Sequence, residues 1–176
     1  MSLKLMSKKS YVGLDIGHHM IKVVQLERTP VGWRLTRIGS IRVPENEIKD
    51  GIIMDPHGLG ASIKELLRNT GITATSAFIA VAGGSVVVRT VRIPKMAEQA
   101  LRKSIKFEAG RYVPNSVEDS YIEFEIIGTT EDNQMDVLIA AAPKEMVDKR
   151  VEACKFAGLD VEAVDVEAFA AYRSLV

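Results

Sequence analysis

The residues of this chain best suited to bind a charged ligand lie near its start, where a carboxylate, a glycine and a lysine follow one another closely. They are Asp15, Gly17 and Lys22. A carboxylate can hold a magnesium ion, while the backbone N–H groups of a glycine turn and a lysine ammonium group can hold a phosphate. The spacing predicts a site for a phosphate and its Mg²⁺, with Asp15 as the metal-binding residue.

The elements that would position these residues are two β-strands joined by a tight turn. Residues 11–16 and 21–26 are rich in apolar and β-branched side chains, which is typical of strands. Gly17, His18 and His19 lie between them, and so short a connection indicates a hairpin. We expect Gly17 to supply the positive φ that such turns often need.

The same stretch is also compatible with an ordinary turn or with a metal site. The pattern Asp-x-Gly is common in turns, and Lys22 would then be a solvated strand residue, since short motifs often occur without their function. The adjacent histidines His18 and His19 raise the alternative of a metal site. His57 is the one further histidine in the sequence, and two neighbouring turn residues rarely converge on one zinc ion, so we do not expect zinc.

Composition excludes several classes of protein. The chain has 176 residues, 47% of them hydrophobic, and 23 Lys and Arg balance 23 Asp and Glu. This balance gives no overall field that would attract nucleic acid or an acidic membrane. The single cysteine, Cys154, excludes an intrachain disulfide. No apolar run approaches the roughly 18 residues of a membrane span, and residues 1–9 lack the apolar core of a signal peptide, so we expect a loose tail there.

The rest of the chain predicts an α/β protein. Residues 33–43 alternate like a third strand, and Asp55 is placed to cap a helix that ends at Gly71. A wholly apolar strand follows at 77–82. After the pair Gly83-Gly84 the pattern changes to strand, helix, strand, strand and helix, predicted at 86–93, about 96–110, 121–127, 135–142 and 143–158. A strand at 159–165 and a helix from 166 complete the chain.

Four stretches of the sequence carry a resemblance to a known family. They are Asp15-Ile-Gly17 with Lys22-Val-Val, Val91-Arg-Ile-Pro-Lys-Met96, Phe107-Glu-Ala-Gly-Arg-Tyr-Val-Pro114 and Tyr121-Ile-Glu-Phe124. Together they resemble PilM, the actin-like, FtsA-related family of type IV pilus assembly. The resemblance implies an actin-like (ribonuclease H-like) first half with an inserted β-α-β-β-α subdomain of the FtsA/PilM 1C type. Residues 1–83 and 159–176 would form an incomplete subdomain 1A, and 84–158 the insertion.

The same resemblance implies a nucleotide site. It assigns ATP and Mg²⁺ to Asp15, Gly17, His18, His19 and Lys22, although the family usually has small or hydroxyl residues where the two histidines stand. The family's second phosphate loop and adenosine-binding segment would follow residue 176. We therefore expect the first half of a PilM-like protein, without catalysis of its own.

The resemblance also implies a partner. In the family, a groove between the first subdomain and the insertion takes the N-terminal tail of the inner-membrane protein PilN. Arg89, Arg92, Tyr112 and Tyr121 are the candidate contacts. The implied protein is a cytoplasmic scaffold, peripheral at the inner membrane through PilN and other pilus proteins, with homo-oligomers as a further expectation. The alternative is an FtsA-like ATPase half that acts in filament formation or cell division.

Charge is distributed unevenly over the predicted insertion. Residues 89–111 contain seven Lys and Arg and two Glu, whereas residues 118–136 contain seven Asp and Glu and no cation. Pairing between strands and solvated surfaces accounts for this pattern, since surface ion pairs contribute little free energy. Nucleic-acid binding is not expected, because the basic stretch lacks interleaved aromatic residues and is offset by its acidic neighbour.

Overall fold

The computed structural model describes residues 10–114 and 116–175, so the expected tail at 1–9 lies outside the described residues. The elements in chain order are β1 (Tyr11–Ile16), β2 (Met20–Thr29), β3 (Gly32–Arg42), β4 (Ile48–Lys49), β5 (Ile52–Ile53), α1 (Pro56–Thr70), β6 (Ser76–Val81), β7 (Val87–Pro94), α2 (Glu98–Ala109), a short 3-10 helix (Val117–Asp119), β8 (Ser120–Thr129), β9 (Gln134–Pro143), α3 (Lys144–Phe156), β10 (Asp160–Val166) and α4 (Glu167–Leu175).

A five-stranded sheet organises the first part of the chain, with strand order β10-β6-β1-β2-β3. The neighbours β1, β2 and β3 are antiparallel, whereas β6 is parallel to both β1 and β10. One face of this sheet is buried beneath α1 and α3, and its core includes Leu14, Ile21, Val23, Ala77 and Ile79. Alternate residues of β1 and β2 therefore point away from this core, toward the opposite face.

Helix α1 begins and ends as its sequence predicts. The Oδ1 atom of Asp55 accepts a hydrogen bond of 3.0 Å from the backbone N–H of His57. Gly71 closes the helix in the left-handed conformation, with φ of 69°. Leu59, Ile63 and neighbouring leucines bury the inner face. A capped, amphipathic helix of this kind is held both by its ends and by burial of its apolar stripe.

A second, three-stranded sheet has the order β7-β9-β8, and α2 covers one of its faces. Leu101 and Ile105 of α2 pack with Val91, Val137 and other inward residues in a core of their own. The opposite face carries the alternate residues of each strand, and α3 borders it beside β9. Strands β7 and β8 are the two edges of this sheet.

The packing of α3 differs from the predicted grouping. The sequence placed this helix in the insertion at 84–158, but Ala153 and Cys154 are buried in the core of the five-stranded sheet. Helix α3 lies chiefly against α1 and β10. Its apolar stripe predicted that a face would be buried but not which neighbour would bury it. The division of the chain into subdomains itself stays a prediction.

A small hairpin, β4 and β5, lies between β3 and α1. The guanidinium group of Arg150 on α3 holds it in place, because Nη1 donates hydrogen bonds of 2.9 Å to the carbonyl oxygens of Gly51 and Met146. Burial lowers the pKa of Arg150. Within the described residues, no helix combines the length and the apolar character that a membrane crossing requires.

Candidate functional site

Asp15 and Lys22 face one another across the β1–β2 hairpin. They are register partners in the ladder, and Nζ of Lys22 lies 2.9 Å from Oδ2 of Asp15. Their side chains are 45% and 59% exposed, respectively. The hydrogen bond to Asp15 is the main cause of the raised pKa of Lys22. Asp15 is thus a half-exposed carboxylate with a partner rather than a buried one.

Gly17 serves the turn in a different way from the predicted one. The described glycines with a positive φ are Gly32, Gly51, Gly71, Gly83 and Gly158, so the positive φ expected at Gly17 is wrong. The N–H of Gly17 donates a hydrogen bond of 3.0 Å to the carbonyl oxygen of Met20. A Cβ at position 17 would lie 3.1 Å from that same oxygen. Close approach of the returning strand therefore favours glycine here, and the N–H is already occupied.

A cleft of about 970 Å³ lies between α4 and the exposed face of the five-stranded sheet. Asp15 and Lys22 line it together with Asp165, Glu167 and Arg173. Arg173 pairs with Asp165, and the charge of Glu167 adds to the rise in the pKa of Lys22. Three carboxylates and two cations thus share one surface, and two of the carboxylates, Asp15 and Asp165, already form ion pairs.

Sequence reasoning missed Asp165 and Glu167 as parts of this cleft. The available signal was topological, because the carboxyl ends of the parallel strands β1, β6 and β10 meet at one edge of the sheet. Ligand sites of α/β sheets lie preferentially at such an edge.

The structure does not bring His18 and His19 into this cleft. Their rings pack edge to face at 4.7 Å and line a separate depression with Arg42 and Glu45. The part of the chain that the structure describes contains no cluster of three or more histidine, cysteine or acidic side chains arranged around a metal position. The predicted nucleotide residues therefore divide into Asp15 and Lys22 in the cleft and the two histidines outside it.

The structure also does not bring the four predicted partner contacts together in one place. Arg92 forms two hydrogen bonds, of 2.8 and 3.1 Å, with the carboxylate of Asp136, and this pairing lowers the pKa of Asp136. Arg89 pairs in register with the buried Ile139, on the face that α2 covers. Tyr112 packs half-buried against the core beneath α2. Arg89 and Tyr112 thus lie on the other side of the sheet from Arg92.

Tyr121 lies in a different setting, at the junction between the two sheets. Its hydroxyl donates a hydrogen bond of 2.9 Å to Oδ1 of Asp148 on α3, and this interaction raises the pKa of Tyr121. The ring lines a groove of about 320 Å³ between β8, β9, α3 and the edge of the five-stranded sheet. The groove is mainly apolar, with Glu123 and Asp165 as its charged residues; its other lining residues are Val81, Ala140, Ala141, Ala142, Val147, Val164 and Val166.

Known proteins share this architecture. The family model for type IV pilus assembly protein PilM matches residues 13–176. The solved PilM-PilN type IV pilus biogenesis complex contains a chain that is 28% identical, with a TM-score of 0.85 over 94% of this chain and 49% of that one. The cytoplasmic domain of EpsL, an inner-membrane component of the type II secretion system of Vibrio cholerae, is 14% identical, with a TM-score of 0.58 over 92% of this chain and 58% of that one.

These likenesses confirm the predicted actin-like α/β fold class and favour pilus assembly over the FtsA-like alternative. The present chain spans about half the length of the solved chains that it matches, at 49% and 58%. The family model covers nearly every described residue, including the Asp15 hairpin, the three-stranded sheet and α4. The chain belongs to the PilM family of type IV pilus assembly proteins.

Proposed function

We propose that this chain is the part of a PilM-type scaffold that binds the N-terminal tail of a PilN-like inner-membrane protein. The observation that carries the proposal is the groove at the junction of the two sheets. Its apolar lining, including Ala140, Val147 and Val164, suits alternate side chains of an extended peptide. A solved relative, 28% identical over 94% of this chain, is described as a PilM-PilN complex.

The charges of the groove indicate what the tail should carry. Glu123 lies in the groove, and Asp165 is already paired with Arg173. A carboxylate at the rim of an apolar groove favours a peptide that places a cation beside it. Arg92, one of the predicted contacts, lies opposite Asp136 and about 13 Å along β9 from Ala140. We therefore assign the contact to Tyr121 and Glu123 rather than to Arg89, Arg92 and Tyr112.

Titration of a fluorescent PilN-type tail peptide tests this proposal. Glu123→Lys should weaken binding by about tenfold, because it places a like charge beside the tail cation. Glu125→Lys is the matched control, since Glu125 lies two residues along the same strand face but outside the groove. Binding that is equally weakened by both substitutions, or by neither, would contradict the assignment. Through such a tail the scaffold would be held peripherally at the cytoplasmic side of the inner membrane.

A second proposed function is nucleotide binding, which the grouping of Asp15, Lys22 and Glu167 in one cleft favours. The cleft fits Mg²⁺ better than it fits a phosphate cradle, since the N–H of Gly17 is occupied by Met20. Asp15 and Glu167 would hold the hydrated ion, and Lys22 would offset phosphate charge.

Calorimetric titration with Mg-ATP tests the nucleotide proposal on this chain. We expect binding heat that is lost in Asp15→Ala. A variant of a carboxylate outside the cleft, Glu65→Ala on the exposed side of α1, controls for general loss of negative charge. Absence of heat in the unsubstituted chain would show that these three residues do not suffice. Heat that survives Asp15→Ala would place the nucleotide elsewhere.

A further inference from the structure

A further concave surface lies between α2 and β8 and shares only Tyr121 with the groove. Its volume is about 420 Å³. Four cations line it, and no aspartate or glutamate among the described residues does so. We call this surface the basic pocket; its charged and aromatic lining consists of Arg102, Lys103, Lys106, Lys144, Tyr121 and Phe124.

The cations of the basic pocket are only partly neutralised by their neighbours. Arg102 lies 3.1 Å from Glu98 and 5.0 Å from the ring centre of Phe124. Lys106 lies 3.6 Å from Glu118, and Lys103 makes no ion pair with any described residue. Both pairs are more than half exposed, so water screens them and an incoming carboxylate can replace them at little cost.

Lys144 closes the other side of the pocket. Its ammonium group donates a hydrogen bond of 2.6 Å to the carbonyl oxygen of Glu118 and lies 6.0 Å from the ring centre of Tyr121. A hydrogen bond to a carbonyl oxygen leaves the positive charge in place. Glu123 and Glu125 lie on the same face of β8 as Tyr121, so the excess of positive charge is confined to the α2 side of the strand.

The pocket also follows an open strand edge. Successive strand residues point to opposite faces of a sheet, so a surface lined by Tyr121 and also by Ile122 must wrap around the edge of β8. In the three-stranded sheet β8 pairs only with β9 among the described residues. Its outer backbone N–H and C=O groups are therefore available to another extended chain.

We propose that the basic pocket and the open edge of β8 together bind an extended acidic segment of a partner protein by strand addition. The added backbone would pair with β8, and its alternate carboxylates would contact Lys103 and Lys106 on the α2 side, while the side chains between them would face Tyr121. Charge complementarity favours an acidic protein segment, and the narrow strand edge suits a single extended chain. This site shares Tyr121 with the groove and leaves Glu123 and the other groove residues to a different, basic tail.

A synthetic peptide of alternating Glu and Val, as long as β8, serves as the probe, with a Lys and Val peptide as its charge-reversed counterpart. We expect the acidic peptide to bind and the basic one not to. Lys103→Glu with Lys106→Glu should weaken binding by at least about tenfold. Lys64→Glu with Lys155→Glu, both at exposed helical positions outside the pocket, controls for the same change in net charge.

Backbone pairing is tested separately by N-methylating alternate residues of the acidic peptide, which removes N–H donors and keeps every carboxylate. We expect the methylated peptide to lose at least about tenfold in affinity. Equal binding of the methylated and unmethylated peptides would overturn strand addition. Binding of a single-stranded oligonucleotide or of phosphatidylserine vesicles, without binding of the acidic peptide, would overturn the assignment of a protein segment.

Discussion

Replacing Gly60 with alanine is expected to destabilise the chain, although alanine is the better helix former. Gly60 lies on the side of α1 that packs against α3. A Cβ added at this position would lie 2.7 Å from the carbonyl oxygen of Ala153 and 2.8 Å from the Cβ atom of Phe156. Neither atom is the free end of a flexible side chain. The two helices must therefore separate to admit the methyl group.

The magnitude follows from these distances. Nonbonded heavy atoms prefer separations of about 3.5 Å, so α3 would have to retreat by about 0.8 Å. Overpacking of this kind costs about 1–3 kcal/mol. The higher helix propensity of alanine relative to glycine stabilises the helix by about 1 kcal/mol. We expect a net loss of up to about 2 kcal/mol in the free energy of unfolding, and a fall of up to about 8 °C in Tm.

Urea unfolding followed by far-UV circular dichroism measures this loss. Ala61→Gly, at the neighbouring exposed position of α1, measures the helix-propensity contribution alone. If Gly60→Ala raised the free energy of unfolding by about as much as Ala61→Gly lowers it, the close contact between α1 and α3 would be refuted. The assignment of α3 to the core of the five-stranded sheet would then lose its support.

Two further predictions concern buried polar groups on α3. Arg150→Ala should lower the free energy of unfolding by about 2–4 kcal/mol, because it leaves a cavity and removes the hydrogen-bond donor to the carbonyl oxygen of Gly51. In urea unfolding, Arg150→Met should recover most of this loss, since Nε of Arg150 is buried without a hydrogen-bond partner and methionine fills the same space. Equal losses in the two variants would show that the hydrogen bond dominates. Burial raises the pKa of the Cys154 thiol from 9.0 to about 12, so the unfolded chain releases this proton first and stability should fall as pH rises above 9.0. A Cys154→Ala variant should lack this component of the pH dependence, and an unchanged profile would contradict it.

Local features of the fold could be predicted because the residues that determine them are close in sequence. Asp55 and Gly71 cap α1 as expected, since both act on the helix adjoining them. The hairpin of β1 and β2 follows from two apolar strands with a short connection, and it brings Asp15 opposite Lys22. At position 17 of the turn, we expected glycine because of its dihedral freedom. The structure gives a different reason: the carbonyl oxygen of Met20 lies too close to leave room for a side chain.

Features that join distant segments could not be predicted in the same way. The stripe on α3 gives no information about which of two cores receives Cys154. Glu167 lines the same cleft as Asp15 because β10 lies parallel to β6, and β6 lies parallel to β1. The groove likewise contains both Ala140 and Val164, and because these residues are far apart in the sequence, their proximity could not be predicted from it. Arg89 and Arg92 were chosen by region, and strand alternation then placed them on opposite faces.

The groove at the junction of the two sheets is proposed to receive the tail of a PilN-like protein, and photo-crosslinking can locate that tail. A benzophenone group is placed in turn at each position of a PilN-type tail peptide, and the cross-linked residues are identified by mass spectrometry. We expect cross-links to β8, β9 and α3 at the groove, and to Val164 on β10, with reduced yield in Glu123→Lys and unchanged yield in Glu125→Lys. Cross-links confined to α2, to the exposed Arg89 or to the cleft beside α4 would contradict the proposed binding site.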